Sequence, residues 1–162
     1  MRSGFLFALL AATLLTNLSA KENDYMENRF VVILSAYKSF AAAKADATRI
    51  AKASHIPFSM EGRVYDSRRG LIYPLDFDDE VWAGEYVARR YDTTVLPGQE
   101  TETQYLSVER SDGYTGFEPG YYIVIAGIQP SRWAAQRQLT RFKSWAPTGY
   151  VKQTRIYLGC MH

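Results

Sequence analysis

The chain has 162 residues, of which 47% are hydrophobic, 14% aromatic and 22% charged. This length suits one compact domain with a real core and is too short for two, and the single cysteine, Cys160, excludes an internal disulfide. The formal net charge of +2 gives no global field that would recruit nucleic acid or an anionic membrane.

The first twenty residues, MRSGFLFALLAATLLTNLSA, predict a secretory signal peptide. One Arg precedes an apolar run from Phe5 to Leu15, and Leu18-Ser19-Ala20 marks the cleavage region. This run of 11 residues is shorter than the roughly 20 that a membrane-spanning helix needs. We therefore expect export to the periplasm, a single domain over residues 21–162, and no stable membrane insertion.

Two parts of the chain are alike when the sequence is shifted by 92 positions. Residues 30–65 then align with residues 122–157 without a gap, and nine of the 36 columns are identical. Each copy begins with an apolar run, FVVIL or YYIVIA, which is typical of a strand buried on both faces. The alignment predicts two copies of one supersecondary unit.

A helix is predicted after each apolar run. Ser39 and Ser131 are placed to cap the helices FAAAKADATRIAKAS and RWAAQRQLTRFKSWA. Apolar residues spaced four and three apart give each helix one stripe that can face a sheet. These stripe residues are Ala43, Ala47 and Ile50 in the first helix and Ala135, Leu139 and Phe142 in the second. A more polar strand, PFSMEGRVY or GYVKQTRIYL, closes each unit.

Alternation along the closing strands predicts which side chains share a face of the sheet. Val64 and Ile156 should face the helices, and their neighbours should project from the opposite, open face. The residues expected on that open face are Arg63, Tyr65, Arg155 and Tyr157. Together the two units predict an α+β fold, namely a ferredoxin-like tandem βαβ repeat with a long insertion, residues 66–120, between the halves.

The insertion is too long for a structureless loop in a compact domain, so we expect it to fold partly against the sheet edge. DDEVWAGEYVARRYD predicts a short helix, and YLSVERSDGYTGFEPG predicts a strand and a turn. Residues 75–104 carry eight acidic side chains against Arg89 and Arg90. Such a stretch fits either a solvated surface or a docking patch for a basic partner, and the patch residues would be Asp78, Asp79 and Glu80.

The stretches VILSAYKSFAAAKADATRIA and YIVIAGIQPSRWAAQRQL resemble the sporulation-related repeat (SPOR) domains of the bacterial cell envelope. In each half the resemblance rests on a strand, a small residue and a Ser-initiated helix, and it covers residues 30–65 and 121–158. It implies a ferredoxin-like fold with an exposed sheet face that binds peptidoglycan glycan strands. The chain departs from the family pattern at Ser35, where the family usually has Gly, and in the length of residues 66–120.

Short motifs do not support catalysis. Residues 35–38, SAYK, fit the S-x-x-K of penicillin-interacting serine enzymes, but Ser35 ends a predicted strand instead of starting a helix. His55 and His162 have no Cys or His at ligand spacing. We therefore expect no catalytic residues, no metal and no cofactor.

Tyr and Arg side chains at matching positions of the two units predict a binding face. Aromatic rings stack on sugars and guanidinium groups bind hydroxyls and carboxylates, although the same pairs also decorate strands without any ligand. The candidate ligand-binding residues are Tyr37, Arg63, Tyr65, Gln153, Arg155 and Tyr157. The first hypothesis is a non-catalytic periplasmic protein that binds peptidoglycan glycan. The alternative is an immunity or inhibitor protein that neutralises a secreted cell-wall-targeting enzyme.

Overall fold

A computed structural model describes residues 26–78, 82–89 and 105–157. The fold is mixed α+β, with a four-stranded antiparallel sheet and two helices. Its elements are β1 (Met26–Tyr37), α1 (Phe40–Ser54), β2 (Val64–Asp66), β3 (Gly70–Ile72), β4 (Ser107–Arg110), β5 (Tyr122–Gln129), α2 (Arg132–Phe142) and β6 (Tyr150–Tyr157). The α+β class predicted from the sequence is confirmed.

The large sheet has the strand order β4-β5-β1-β6, and each neighbouring pair is antiparallel. β1 is central because it pairs with β5 from Phe30 to Tyr37 and with β6 from Met26 to Ile33. β5 and β6 therefore flank β1, and α2 connects them across it. The second strand–helix–strand unit of the sequence forms as predicted.

The two predicted helix caps are confirmed. The Ser39 side chain accepts a hydrogen bond from the backbone N–H of Ala42 at 3.5 Å, and Ser131 accepts one from Ala134 at 3.2 Å. All six predicted stripe residues are buried. Both stripes belong to one core cluster with Val32, Val124 and other sheet residues, so both helices cover the same face of the sheet.

The prediction for the closing strand of the first unit is wrong in part. Of the predicted strand PFSMEGRVY, only Val64 and Tyr65 lie in a strand, β2, which pairs with β3 in a separate hairpin. Glu61 and Gly62 explain the difference, because their φ angles of 52° and 81° turn the chain before a longer strand can form. The place beside β5 is taken by β4, from the predicted insertion. The strand predicted in YLSVERSDGYTGFEPG is thus confirmed, and residues 82–89 form no helix.

The sheet face opposite the helices is covered, so the expectation of an open face is wrong. Val31, Ile33 and Ile125 are fully buried there in a cluster that also holds Tyr114. Tyr114, Phe117 and Ala88, which cover this cluster, all come from the insertion. The physical reason is the apolar character of β1 and β5 on both faces, because an open face would leave these side chains in water.

The prediction that Ile156 faces the helices is also wrong. Ile156 packs with Val31 and Ile33 in the cluster away from the helices, whereas Val151, of opposite parity, packs against the helix-side core. The side chains of β6 alternate between the two faces of the sheet as predicted, but each set lies on the face opposite to the predicted one. Thr154 shares the side of Ile156, and its hydroxyl donates a hydrogen bond to the backbone oxygen of Thr115 at 3.0 Å. The insertion therefore covers the side that the sequence assigned to the helices.

Candidate functional site

Arg63 lies inside the molecule and not on an exposed face. Its side chain is 0% exposed and holds the buried carboxylate of Glu109 through two hydrogen bonds of 2.6 and 2.7 Å. It also donates to the backbone oxygens of Met60 and Val87 at 3.0 and 3.1 Å. These bonds tie the turn before β2 to β4 and to residues 82–89, so the guanidinium is not presented to a ligand.

Of the other predicted binding residues, Arg155 and Tyr157 line one cavity of about 420 Å³ together with residues 86–89, and the others lie elsewhere. Gln153 and Arg155 are exposed on β6, and Tyr157 is half-buried at the end of the same strand. Tyr37 is half-buried beside α1, where burial and the nearby Asp46 carboxylate raise the pKa of its phenol. Tyr65 is 47% exposed on β2. Since β2 is not in the large sheet, these side chains do not form one face.

The predicted acidic patch is described only in part. Asp78 is exposed, whereas Asp79 and Glu80 lie outside the described residues. Beside Asp78, the side chain of Leu75 is 70% exposed and Asp76 is exposed as well. This segment therefore presents an apolar side chain next to two carboxylates.

One groove brings Tyr65 together with side chains that the sequence did not single out. It lies between the β2–β3 hairpin and the ends of β1, β4 and β5, and it has a volume of about 360 Å³. We call it the tyrosine–arginine groove. Its aromatic and basic lining residues are Lys38, Tyr65, Arg68, Arg69, Arg110, Tyr121 and Tyr122.

The turn between β2 and β3 presents two of the cations. Oδ1 of Asp66 accepts hydrogen bonds from the backbone N–H groups of Arg68 and Arg69, both at 2.8 Å, and these bonds lower the pKa of Asp66. Gly70 completes the turn with a φ of 79°. Both arginine side chains are exposed. Among the described residues, the guanidinium of Arg68 has no hydrogen-bond or ion-pair partner.

Packing holds the aromatic wall of the groove in place. The ring of Tyr65 stacks on Phe40, with centroids 4.5 Å apart and planes 1° from parallel, and meets Tyr122 edge-on at 6.1 Å. Burial raises the pKa of Tyr122, so its phenol stays protonated as a hydrogen-bond donor at neutral pH. The ammonium of Lys38 lies 3.6 Å from the ring centroid of Tyr121.

Arg110 is the most restrained cation of the groove. Its guanidinium pairs with Asp112 and donates a hydrogen bond of 3.4 Å to the backbone oxygen of Arg69, so it links β4 to the hairpin turn. Asp112 is the only acidic residue in the lining, against four basic residues. The groove therefore has a positive potential, with Arg68 as the cation most available to an incoming anion.

The groove is equipped for binding, and we find no catalytic constellation in it. Its lining has no Cys or His, and its single carboxylate, on Asp112, is engaged by Arg110. Within the described ranges, no cluster of His, Cys, Asp or Glu could hold a metal ion. Fixed aromatic rings beside guanidinium groups instead suit a flat, hydroxyl-bearing ligand with a negative charge.

Six of the seven aromatic and basic lining residues were not predicted from the sequence, namely Lys38, Arg68, Arg69, Arg110, Tyr121 and Tyr122. One signal was present, because DSRRG has the Asp and Gly of a tight turn around two arginines. No local signal indicated that this turn would meet β4, since that contact joins positions about forty apart in the chain.

No helix among the described residues has the length and apolar content to cross a membrane. Comparisons of the chain with protein-family models, with curated proteins and with solved structures gave no match.

Proposed function

We propose that this protein is a non-catalytic periplasmic binding protein that recognises peptidoglycan glycan strands through the tyrosine–arginine groove. The observation that carries the proposal is the convergence of three tyrosine rings and four cations in one groove of about 360 Å³. This volume falls in the range of roughly 300–1,000 Å³ that is usual for ligand sites. The groove replaces the sheet face that the resemblance implied, because the insertion covers that face.

The chemistry of the ligand matches the two kinds of side chain. Sugar rings have apolar faces that stack on tyrosine, and their hydroxyls pair with phenol and guanidinium groups. Every second sugar of peptidoglycan also carries a lactyl group, whose carboxylate is free where the stem peptide has been removed. Arg68 is placed to donate hydrogen bonds to that carboxylate, because it has no competing partner among the described residues.

We also infer that the fold is a SPOR-like, ferredoxin-like repeat in which the insertion replaces one strand of the first half. The antiparallel order β4-β5-β1-β6, with both helices on one face, supports this view. In such a repeat the closing strand of the first half would lie beside β5, where β4 lies in this chain.

Retention on purified sacculi, with and without stem peptides, tests the glycan function. We expect the wild-type chain to be retained, and more strongly on glycan without stem peptides. The double variant Arg68→Ala, Arg69→Ala should be retained at least about tenfold less, since the loss of even one charge-assisted hydrogen bond costs about 1.5–3 kcal/mol. Arg137→Ala, an exposed arginine on α2, is the matched control and should bind as the wild type does.

Two outcomes contradict different parts of the proposal. A wild-type chain that ignores both kinds of sacculi would remove the glycan function. Equal retention of the wild type and the double variant would support glycan binding but would contradict the assignment of the binding site to the groove.

The second candidate function is neutralisation of a secreted cell-wall-targeting enzyme. The exposed Leu75, with Asp76 and Asp78 beside it, favours this reading, because an apolar centre with a charged rim is typical of protein interfaces. Co-purification with a secreted hydrolase encoded nearby should then be lost in Asp76→Lys, Asp78→Lys and kept in Arg68→Ala, Arg69→Ala. If co-purification is lost in Arg68→Ala, Arg69→Ala and kept in Asp76→Lys, Asp78→Lys, the enzyme binds the groove instead.

A further inference from the structure

Positive charge is concentrated on the two helices. The described residues contain 16 basic and 10 acidic side chains, and residues 40–54 with 132–143 account for seven of the basic and one of the acidic ones. The remaining described residues therefore carry nine of each sign and are neutral as a group. The whole net charge of the described part, +6, lies on the two helices and on Lys143, which follows α2, a separation that the chain's overall charge of +2 conceals.

All seven of these basic side chains are exposed. The apolar stripes of both helices face the sheet, so most of these cations lie on the outer side of the helical layer. Lys143 instead donates hydrogen bonds to the backbone oxygens of Pro147 and Gly149, and Arg132 lies over the ring of Phe30. The single carboxylate, on Asp46, accepts hydrogen bonds from Arg49 at 2.6 Å and from Ser35 at 2.6 Å. Arg49 also donates to the backbone oxygen of Trp145 at 3.0 Å, so α1 is linked to the segment after α2.

A tryptophan projects from this surface. Trp133 is 68% exposed, and the guanidinium of Arg137 lies 4.8 Å from its ring centroid. Tryptophan is enriched at the boundary between lipid and water, where its ring lies among the headgroups. An arginine beside it can bind their phosphates. The other exposed apolar residues of the two helices are the small alanines Ala41, Ala45 and Ala53, so the contact would be peripheral.

We propose that the outer side of α1 and α2 docks on the surface of a bilayer that contains anionic phospholipids. A bilayer fits better than a small ligand, because the cations are spread over two helices and do not converge on a point. Each basic side chain that reaches such a surface adds to the attraction, and salt weakens the sum. No residue of α1 or α2 lines the tyrosine–arginine groove, so this docking is independent of the glycan proposal.

Co-sedimentation of the mature chain with lipid vesicles tests this docking. Vesicles that contain phosphatidylglycerol should bind the chain, pure phosphatidylcholine vesicles should not, and added salt should release it. Arg137→Glu, Arg141→Glu should bind more than tenfold more weakly, since one lost cation alone costs about fivefold. Arg68→Glu, Arg69→Glu makes the same charge change in the groove and should keep vesicle binding within about twofold. Binding should also shift the tryptophan emission to shorter wavelength, and Trp133→Phe should abolish most of that shift.

Three results would overturn the proposal. The first is no binding to phosphatidylglycerol vesicles at low salt. The second is an equal loss of binding in both double variants, which would indicate a response to net charge and not to the helical surface. The third is tight binding to a soluble anionic polymer such as heparin without any vesicle binding, which would assign the surface to a polyanion.

Discussion

At the scale of single residues, Asp46 shows how a half-exposed helix connects to the sheet. Its side chain is only 12% exposed and accepts hydrogen bonds from Ser35 of β1 and from Arg49 of its own helix. Burial alone would raise the pKa of Asp46, but the hydrogen bonds from Ser35 and Arg49 outweigh it, and the pKa is lowered from 3.8.

A depressed folded-state pKa gives a stability that depends on pH in a defined direction. The contribution of Asp46 is present above the unfolded value of 3.8 and is lost as the pH falls through the lower folded-state value. Asp46→Asn should therefore lower the free energy of unfolding by about 1 kcal/mol at pH 7. Urea unfolding at a series of pH values should show this difference shrink below pH 3.8. A difference that stays constant into acid would contradict the assignment.

At the scale of elements, the two helices begin where the sequence indicated. The cap geometry is local, since a side chain meets an N–H three residues ahead, and local signals are the ones that sequence patterns carry most directly. The closing strands show the opposite behaviour. β6 forms as predicted because it pairs with β1. The matching segment of the first half turns at Glu61 and Gly62, and β4 pairs with β5 instead.

The caps offer a paired measurement. Ser39→Ala and Ser131→Ala should each lower the free energy of unfolding by about 1 kcal/mol, because each leaves an N–H at a helix start without its partner. The larger loss should occur at Ser131, whose bond of 3.2 Å is shorter than the 3.5 Å at Ser39. Ser→Asp at the same positions should restore the stability, since Asp caps as well as Ser. Equal stability of the Ala and Asp variants would indicate that the caps do not contribute.

At the scale of the whole molecule, the insertion completes the core. Glu109 of β4 accepts hydrogen bonds from Arg63, from the Tyr86 hydroxyl at 2.9 Å and from the backbone N–H of Arg89 at 3.1 Å. Burial would lower the pKa of Arg63, but the adjacent Glu109 charge outweighs it and raises the pKa, so this arginine stays charged. The pair thus connects three separate segments of the chain.

Removing one partner of this pair tests that role. Arg63→Met should lower the free energy of unfolding by about 3–5 kcal/mol, because it leaves the Glu109 carboxylate buried without its cation. Arg68→Met, an exposed arginine five positions away, should change it by only about 0.5 kcal/mol. Chemical denaturation of both variants and of the wild type measures these free energies of unfolding. Equal stabilities would mean that the pair does not hold the insertion to the sheet.

Several features could be predicted from the sequence by itself. Local patterns, which repeat within one or two turns or strands, predict the α+β class and the central strands that are apolar on both faces. They also predict both helices with their caps and buried stripes. Tyr65 was also singled out, and it lines the groove.

Only the tertiary structure decided which surfaces stay exposed. Strand alternation distinguishes two faces but does not say which one another segment will cover, and at Ile156 the two were exchanged. The insertion covers the face expected to be open and buries Arg63 against a glutamate 46 positions away. The tyrosine–arginine groove and the cationic helical surface also depend on contacts between distant parts of the chain. Such contacts are set by the packing of the complete core, so no local pattern encodes them.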